Sequence, residues 1–376
     1  MSLRDRLKPT TQQSPQRDPY RRFGVLANPF PPASQTAGHP HNPSPADDEI
    51  ENRIENFIKE HRSQVVVVEG TQGVGKTNLL NHWEIEIKDA LGESGGYYVI
   101  RYLADPEASF DSTIRRLFQE LGVDFIEKLG AALDANKDAI EEARNPEMRA
   151  AMRRLAERPG DKDRAMLFRD WLLGIRVLKS HREELDIQFR LDTVESKTSA
   201  LRDVVIVSSQ VKLLEGIFLL LDELEKQSGV LGPTAVVRYL SALRAIIDAL
   251  PEHLFMMLAV TPDAMIRYSA ALPAFRSRLH NPIVLQPLDS EDKALELARF
   301  YIDHARKQAE KSRGSIGAKT KELLSDNDIK AVFQDLRRTG ERRADVGVRQ
   351  REFLHALHDK ADRVMAEELD GRRPPD

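Results

Sequence analysis

Gln64-Val65-Val66-Val67-Val68-Glu69-Gly70-Thr71-Gln72-Gly73-Val74-Gly75-Lys76-Thr77-Asn78 is the stretch that orders the rest of the chain. Four consecutive β-branched residues, Val65 to Val68, lie between polar neighbours and predict a strand buried on both faces, as in a parallel sheet. The strand runs straight into Gly70 to Thr77, which fits G-x-x-x-x-G-K-[ST]. Glycine has no Cβ, so the backbone N–H groups of such a loop can turn inward around an anion. Lys76 adds a point charge for the β- and γ-phosphates of a nucleotide, and the Thr77 hydroxyl can ligate Mg²⁺. A helical pattern over 78–91 aims its N-terminal dipole at the same anion. The bland alternative is a glycine-rich turn with no ligand. The strand before the loop and the helix after it favour the phosphate reading. Gly70, Gln72, Gly73, Val74, Gly75, Lys76, Thr77 and Asn78 are the expected nucleotide contacts.

The same alternation of elements continues on either side. Residues 47–61 place Ile50, Ile54, Phe57 and Ile58 at helical spacing with acids in the first turn. Residues 97–102 read as a strand and 110–121 as a helix. Strands are expected again at 217–221, 254–260 and 281–288, with a helix over 234–250. This order predicts an α/β fold with a doubly wound parallel sheet. Between about 125 and 215 no convincing strand is present: Leu155, Met166, Leu167, Trp171, Leu172, Ile175 and Leu178 fall at helical spacing, which predicts a helical insertion. Val204 to Val207 fits either strand or helix by periodicity, and the wider spacing through Leu201, Val211 and Leu214 favours a helix. From Ser290 onward only helical patterns remain, and no internal repeat is found.

A second motif closes the strand at 217–221. It ends in Asp222 and Glu223. Ligands of open α/β sheets gather beyond the carboxyl ends of the strands, so Asp222 is expected to reach the Mg²⁺ sphere and Glu223 to polarise an attacking water. Glu225 falls on the solvated face, and an acidic helix start that merely caps is the plain alternative for the whole cluster. The strand at 254–260 ends in Thr261-Pro262-Asp263, which makes Thr261 a candidate sensor of the γ-phosphate or the water, against a simple strand-ending turn.

Composition narrows the remaining classes. The 376 residues carry 56 Lys and Arg against 60 Asp and Glu, so any nucleic-acid contact needs a local patch. Arg337-Arg338, Arg342-Arg343 and the N-terminal arginines are such patches, or else solvated helix faces. With no cysteine there is no disulfide framework, thiolate zinc site or cysteine nucleophile. His39, His41, His355 and His358 lack metal-ligand spacing, and Trp83 and Trp171 read as core residues. No apolar run approaches the ~20 residues of a membrane span, and the N-terminus lacks the apolar region of a secretory signal, so a cytoplasmic address without membrane association is expected.

Together, the strand–loop–helix, the acid-ended strand, the polar strand end and an arginine-bearing segment before the last strand resemble the AAA+ P-loop ATPases. Phe23-Gly24-Val25-Leu26-Ala27-Asn28-Pro29-Phe30 is similar to the N-terminal segment of origin-recognition-type ATPases. The stretches around Leu219 to Glu225 and Phe275 to Leu279 resemble ATP-binding proteins of phage-exclusion and mobile-element systems. The resemblance implies ATP and Mg²⁺ as cofactors, with Asn28 and Phe30 packing near the adenine. It implies Arg278, with Arg276 as the near alternative, as an arginine reaching a neighbouring subunit's γ-phosphate. It also implies Arg351, or second Arg349, as a sensor arginine opening a lid helix. The expected organisation is a mostly disordered arm over 1–46 with a docking segment at 20–31, and an AAA+ core over 47–288 with the insertion at about 125–215. A helical lid over 289–369 and a tail over 370–376 follow. The insertion is longer than a minimal AAA+ core carries. No winged-helix pattern follows the lid, so the resemblance does not extend to sequence-specific DNA reading.

Two functions follow as expectations. One is an ATP-hydrolysing switch, homo-oligomeric, that remodels a protein–DNA complex in phage defence or a mobile element, with DNA among its contacts. The other is a nucleotide-dependent interaction module of little turnover that recruits a partner protein. A metabolic kinase is disfavoured, because the helical C-terminal bundle offers no acceptor-binding lid.

Overall fold

The Val-rich strand sits where its composition requires, in the interior of a parallel sheet. The computed structural model describes residues 19–35, 38–92, 95–103, 110–175, 178–224, 233–279, 281–313, 322–343 and 345–369. The N-terminal arm over 1–18, the tail over 370–376 and Glu225 lie outside them. By contact the chain divides into two units: Met1–Asn42, Gln72–Asn78 and Gln286–Asp376 form one, and Pro43–Thr71 with Leu79–Leu285 the other.

The second unit holds the sheet. Helix α1 (Pro45–Glu60) starts with proline at its first turn, and the Asp47 carboxylate accepts the Ser44 N–H at 2.7 Å, so a sequence rich in turn formers still starts a helix cleanly. Strand β1 (Gln64–Glu69) leads through the loop into α2 (Lys76–Ala90), and β2 (Tyr97–Leu103) into α3 (Phe110–Ala135). The insertion continues as α4 (Pro146–Glu157), α5 (Lys162–Leu172), α6 (Lys179–Leu185) and α7 (Val194–Gln210). The Val204 to Val207 run is therefore helical. Strand β3 (Gly216–Asp222), α8 (Pro233–Ala249), β4 (Leu254–Val260), α9 (Pro262–Ala271), the short α10 (Pro273–Arg276) and β5 (Ile283–Val284) complete the unit. All pairs are parallel, in the order β2-β3-β4-β1-β5.

Because side chains alternate along a strand, the sheet feeds two cores. Val66, Val68, Val99, Phe218, Leu220, Phe255 and Met257 pack with Ile50 and Phe57 of α1 and Leu80 and Trp83 of α2. Val67, Ile100, Leu219, Leu221, Met256 and Leu258 pack on the other face with α3, α7, α8 and the insertion, where Trp171 is 1% exposed. Within the insertion the fully buried Asp203 accepts the backbone N–H groups of Arg144 and Asn145 at 3.0 and 2.9 Å. Burying that carboxylate is tolerable because those two N–H groups and Arg202 Nη1, at 2.8 Å from Oδ1, satisfy it.

One strand departs from the sequence expectation. The last strand, expected over 281–288, shortens to Ile283–Val284 at the sheet edge. Pro282 and Pro287 have no N–H to donate, and Asn281 turns to a left-handed φ of 48°. Gly216, at the start of β3, faces the buried ring of Phe57, and a Cβ there would lie 2.7 Å from Phe57 Cζ. That ring is itself wedged against Phe218 and Phe255, with centroids at 5.2 and 5.7 Å. Gly216→Ala is expected to destabilise the protein by about 1–3 kcal/mol in chemical denaturation.

The first unit is helical. Its helices α11 (Glu291–Arg313), α12 (Asp326–Glu341) and α13 (Gln350–Leu369) bury Leu297, Tyr301, Phe333, Phe353 and Leu357. The N-terminal segment docks here. Its start is a 3-10 helix over Pro19–Phe23, and Phe23, Val25 and Phe30 enter the same core at 0–1% exposure. Among the described residues no helix is long and apolar enough to cross a membrane.

Candidate functional site

The carboxyl edge of the sheet gathers the acid pair and the threonine. Register pairs Glu69 with Val260 and Leu221 with Leu258, so β1, β4 and β3 end side by side. Gly70, Thr261 and Asp222 therefore leave the sheet at one edge, with the Gly70 N–H bonded to the Val260 carbonyl at 3.1 Å. Asp222 is 1% exposed and continues the face on which Leu220 packs under α2. Its Oδ1 accepts the Glu223 N–H at 2.8 Å and its Oδ2 accepts Arg101 Nη2 at 2.7 Å.

Glu223 departs from the strand at a φ of 55°, a left-handed conformation that costs a non-glycine residue on the order of 1–3 kcal/mol. Two bonds hold that turn: the one from its own N–H to Asp222, and one from the Tyr268 hydroxyl of α9 to the Leu224 carbonyl. Thr261 occupies the N-cap of α9, its hydroxyl accepting the Ala264 N–H at 3.4 Å. The hydroxyl proton is not used in that bond and can still be donated. Of the two candidate arginines nearby in sequence, Arg278 donates from Nε to Asp248 of α8 at 2.8 Å, whereas Arg276 is exposed at the end of α10.

The phosphate loop has the backbone its glycines allow. Gly73 and Gly75 sit at φ 85° and 106°. Lys76 is 7% exposed, and Thr77 and Asn78 are half-buried. The first turn of α13 lies against this loop: the Arg351 N–H donates to the Gly73 carbonyl at 3.0 Å, and a Cβ on Gly75 would meet the Gln350 side-chain carbonyl at 3.2 Å. Arg349 is drawn away into ion pairs with Asp345 and Glu352 at 3.2 and 3.5 Å, while Arg351 is exposed. Burial, with Arg351 adding to it, lowers the pKa of both His39 and His355 beside that arginine.

Asn28 and Phe30 serve the docking of the N-terminal segment. The Asn28 amide donates to the His358 carbonyl at 3.0 Å and to Asp362 at 2.8 Å, and its oxygen accepts the Phe30 N–H at 3.1 Å. Phe30 stacks on Tyr301 with centroids 6.4 Å apart. Both line a cleft of about 280 Å³, bounded also by His39, Pro40, His304 and Gln308. Asn78 donates to the Pro40 carbonyl at 3.2 Å, which ties the start of α2 to the linker segment beside that cleft.

Arg101, Tyr268 and Gln350 are site neighbours that the sequence reading did not single out. For Arg101 a signal existed: it is the one charged residue in the strand 97–102. Tyr268 and Gln350 carry none, since their roles depend on packing.

A parallel sheet in this order, a glycine-rich loop between β1 and α2, an acid pair ending β3 and a helical C-terminal unit define an AAA+ P-loop ATP-binding protein. A protein-family model described as "BREX system ATP-binding protein BrxC/D" matches residues 114–369. The chain belongs to that family. The matched span begins beyond the phosphate loop, so the loop and the family are separate lines of support. Among solved structures the chain is similar to the Aeropyrum pernix ORC2 protein in ADPNP–ADP complexes, at 11% identity and a TM-score of 0.41, over 84% of this chain and 67% of that one. No curated protein matches it.

Proposed function

We propose that this protein is an ATP-hydrolysing AAA+ switch that assembles through inter-subunit sites and acts on a protein–DNA complex in phage defence, in the cytoplasm. The supporting observation is the sheet edge, where Thr261 follows β4, the neighbour of the phosphate-loop strand β1, and Asp222 and Glu223 end β3 on the far side of β4. In this reading Gly70, Gln72, Gly73, Val74 and Gly75 cradle the phosphates, Lys76 neutralises them, and Asn78 borders the nucleotide. The cleft beside Asn28 and Phe30 receives the base. Thr77 and Asp222 would hold the magnesium: a hydroxyl and a carboxylate are the hard oxygen donors that this ion takes. When bound, the ion would offset the negative charge on the phosphates in the transition state.

Glu223 takes a proton from the attacking water, oriented by Thr261. Arg351 meets the γ-phosphate from the lid, and Arg278 of a neighbouring subunit completes the charge. ATP turnover measured over a range of protein concentrations tests this reading: specific activity should rise with concentration alongside the mass of the assembly. A rate that is constant per chain removes the inter-subunit part. A second reading, a nucleotide-dependent module with little turnover that recruits a partner protein, is favoured by one observation: both Asp222 oxygens are already engaged.

A further inference from the structure

Arg101 is a cation set into a buried strand. Its side chain keeps 11% exposure and that of Asp222 1%, and they meet through a single contact of 2.7 Å between Nη2 and Oδ2. A guanidinium usually grips a carboxylate with two parallel N–H bonds. Here the second Asp222 oxygen is taken by the Glu223 N–H, so the grip is one-pronged. The Nε and Nη1 of Arg101 are buried and find no hydrogen-bond partner among the described residues. Donors left in that condition are costly, and they weaken the hold of this arrangement over any other that would satisfy them. Burial pushes the Arg101 pKa down, and the carboxylates of Asp222, Glu84 on α2 and Glu223 act against that by favouring the charged guanidinium.

We propose that Arg101 is the resident counter-ion of Asp222, keeping this carboxylate neutralised in the absence of nucleotide and yielding it to the divalent cation that arrives with the triphosphate. The inference rests on the nucleotide reading given above. Without Arg101, a fully buried carboxylate would stand uncompensated between turnovers. With Arg101 in place, the metal must compete for Asp222. Its apparent affinity is then reduced by the fraction of time the carboxylate is released. Arg101 is a positioning residue in this scheme: it acts on the metal through Asp222 and touches no substrate.

The test is binding of a fluorescent, non-hydrolysable ATP analogue to the full-length chain, titrated against Mg²⁺. Wild type, Arg101→Gln and Arg101→Lys are compared. If Asp222 is free about a tenth of the time in the wild type, Arg101→Gln lowers the half-saturating Mg²⁺ concentration about tenfold. Arg101→Lys, which keeps the charge but loses the fork, gives a smaller decrease. Melting temperatures read alongside should show Arg101→Gln destabilised in EDTA and restored by Mg²⁺ with the analogue. A purely structural arginine would give the same deficit in both conditions. An unchanged or raised Mg²⁺ midpoint in a folded variant that binds the analogue overturns the inference and leaves the nucleotide reading standing. Should Arg101→Gln not fold, the Arg101→Lys titration decides by the same criterion. Failure of the wild type to bind the analogue removes the nucleotide reading, and the inference with it.

Discussion

Glu223→Gln lowers ATP turnover about 10²–10⁴-fold while leaving ATP binding within a few-fold of the wild type. The range is that of removing a positioned general base. The substitution preserves shape and the backbone bond from residue 223 to Asp222, so the left-handed turn at φ 55° remains held from both sides. Only the ability to accept a proton is lost. A strained backbone at the residue assigned as base also fits the pattern of strain stored at working positions. Steady-state hydrolysis and analogue binding, measured on the same preparation, check both halves of this statement. Undiminished turnover would move the protein to the second reading, in which ATP is a clamp.

Lys76→Ala is expected to weaken nucleotide binding about 10–100-fold. One charge-assisted hydrogen bond to phosphate accounts for roughly 1.5–3 kcal/mol, which spans that range. Lys76 is among the few buried charged side chains, at 7% exposure, so its removal also leaves space beside the loop. Circular dichroism and melting must therefore accompany the titration, and unchanged affinity in folded material would count against the phosphate reading. Under the clamp reading the two substitutions separate in a partner pull-down: Lys76→Ala loses the partner and Glu223→Gln keeps it.

The sheet was legible because it is written in local chemistry. Val65 to Val68 and Ile217 to Leu221 are apolar on every residue and bounded by glycine and polar residues, as strands buried on both faces are, whereas the similar run Val204 to Val207 continues at helical spacing and is helical. The phosphate loop and the acid pair were legible for the same reason, being contiguous. What escaped the sequence depends on partners far along the chain. Arg101 meets Asp222 across 121 residues and Tyr268 meets Leu224 across 44, and neither spacing has a period to detect. The short fifth strand was overestimated because Ile283, Val284 and Leu285 look like a strand while the prolines at 282 and 287 limit it. The N-terminal segment was expected to dock through residues 20–31. Its landing place on α13 was not, since Asn28 and Phe30 reveal it only through bonds to His358 and Asp362.

That landing has a consequence for biosynthesis. Tyr20 and Asp362, joined at 2.8 Å, are 342 residues apart, and Arg22 reaches Glu368 across 346. While the ribosome is still making the intervening chain, Phe23, Val25 and Phe30 have no partner to cover them. The helical unit can close only after α13 has emerged, whereas the insertion helices have partners close in sequence and the last sheet pairing, β1 with β5, needs nothing beyond Val284. Contacts of such long separation carry the largest loop-closure cost and form late. The apolar segment from Tyr20 to Phe30 therefore stays without its α13 partners until residues 350–369 have been made.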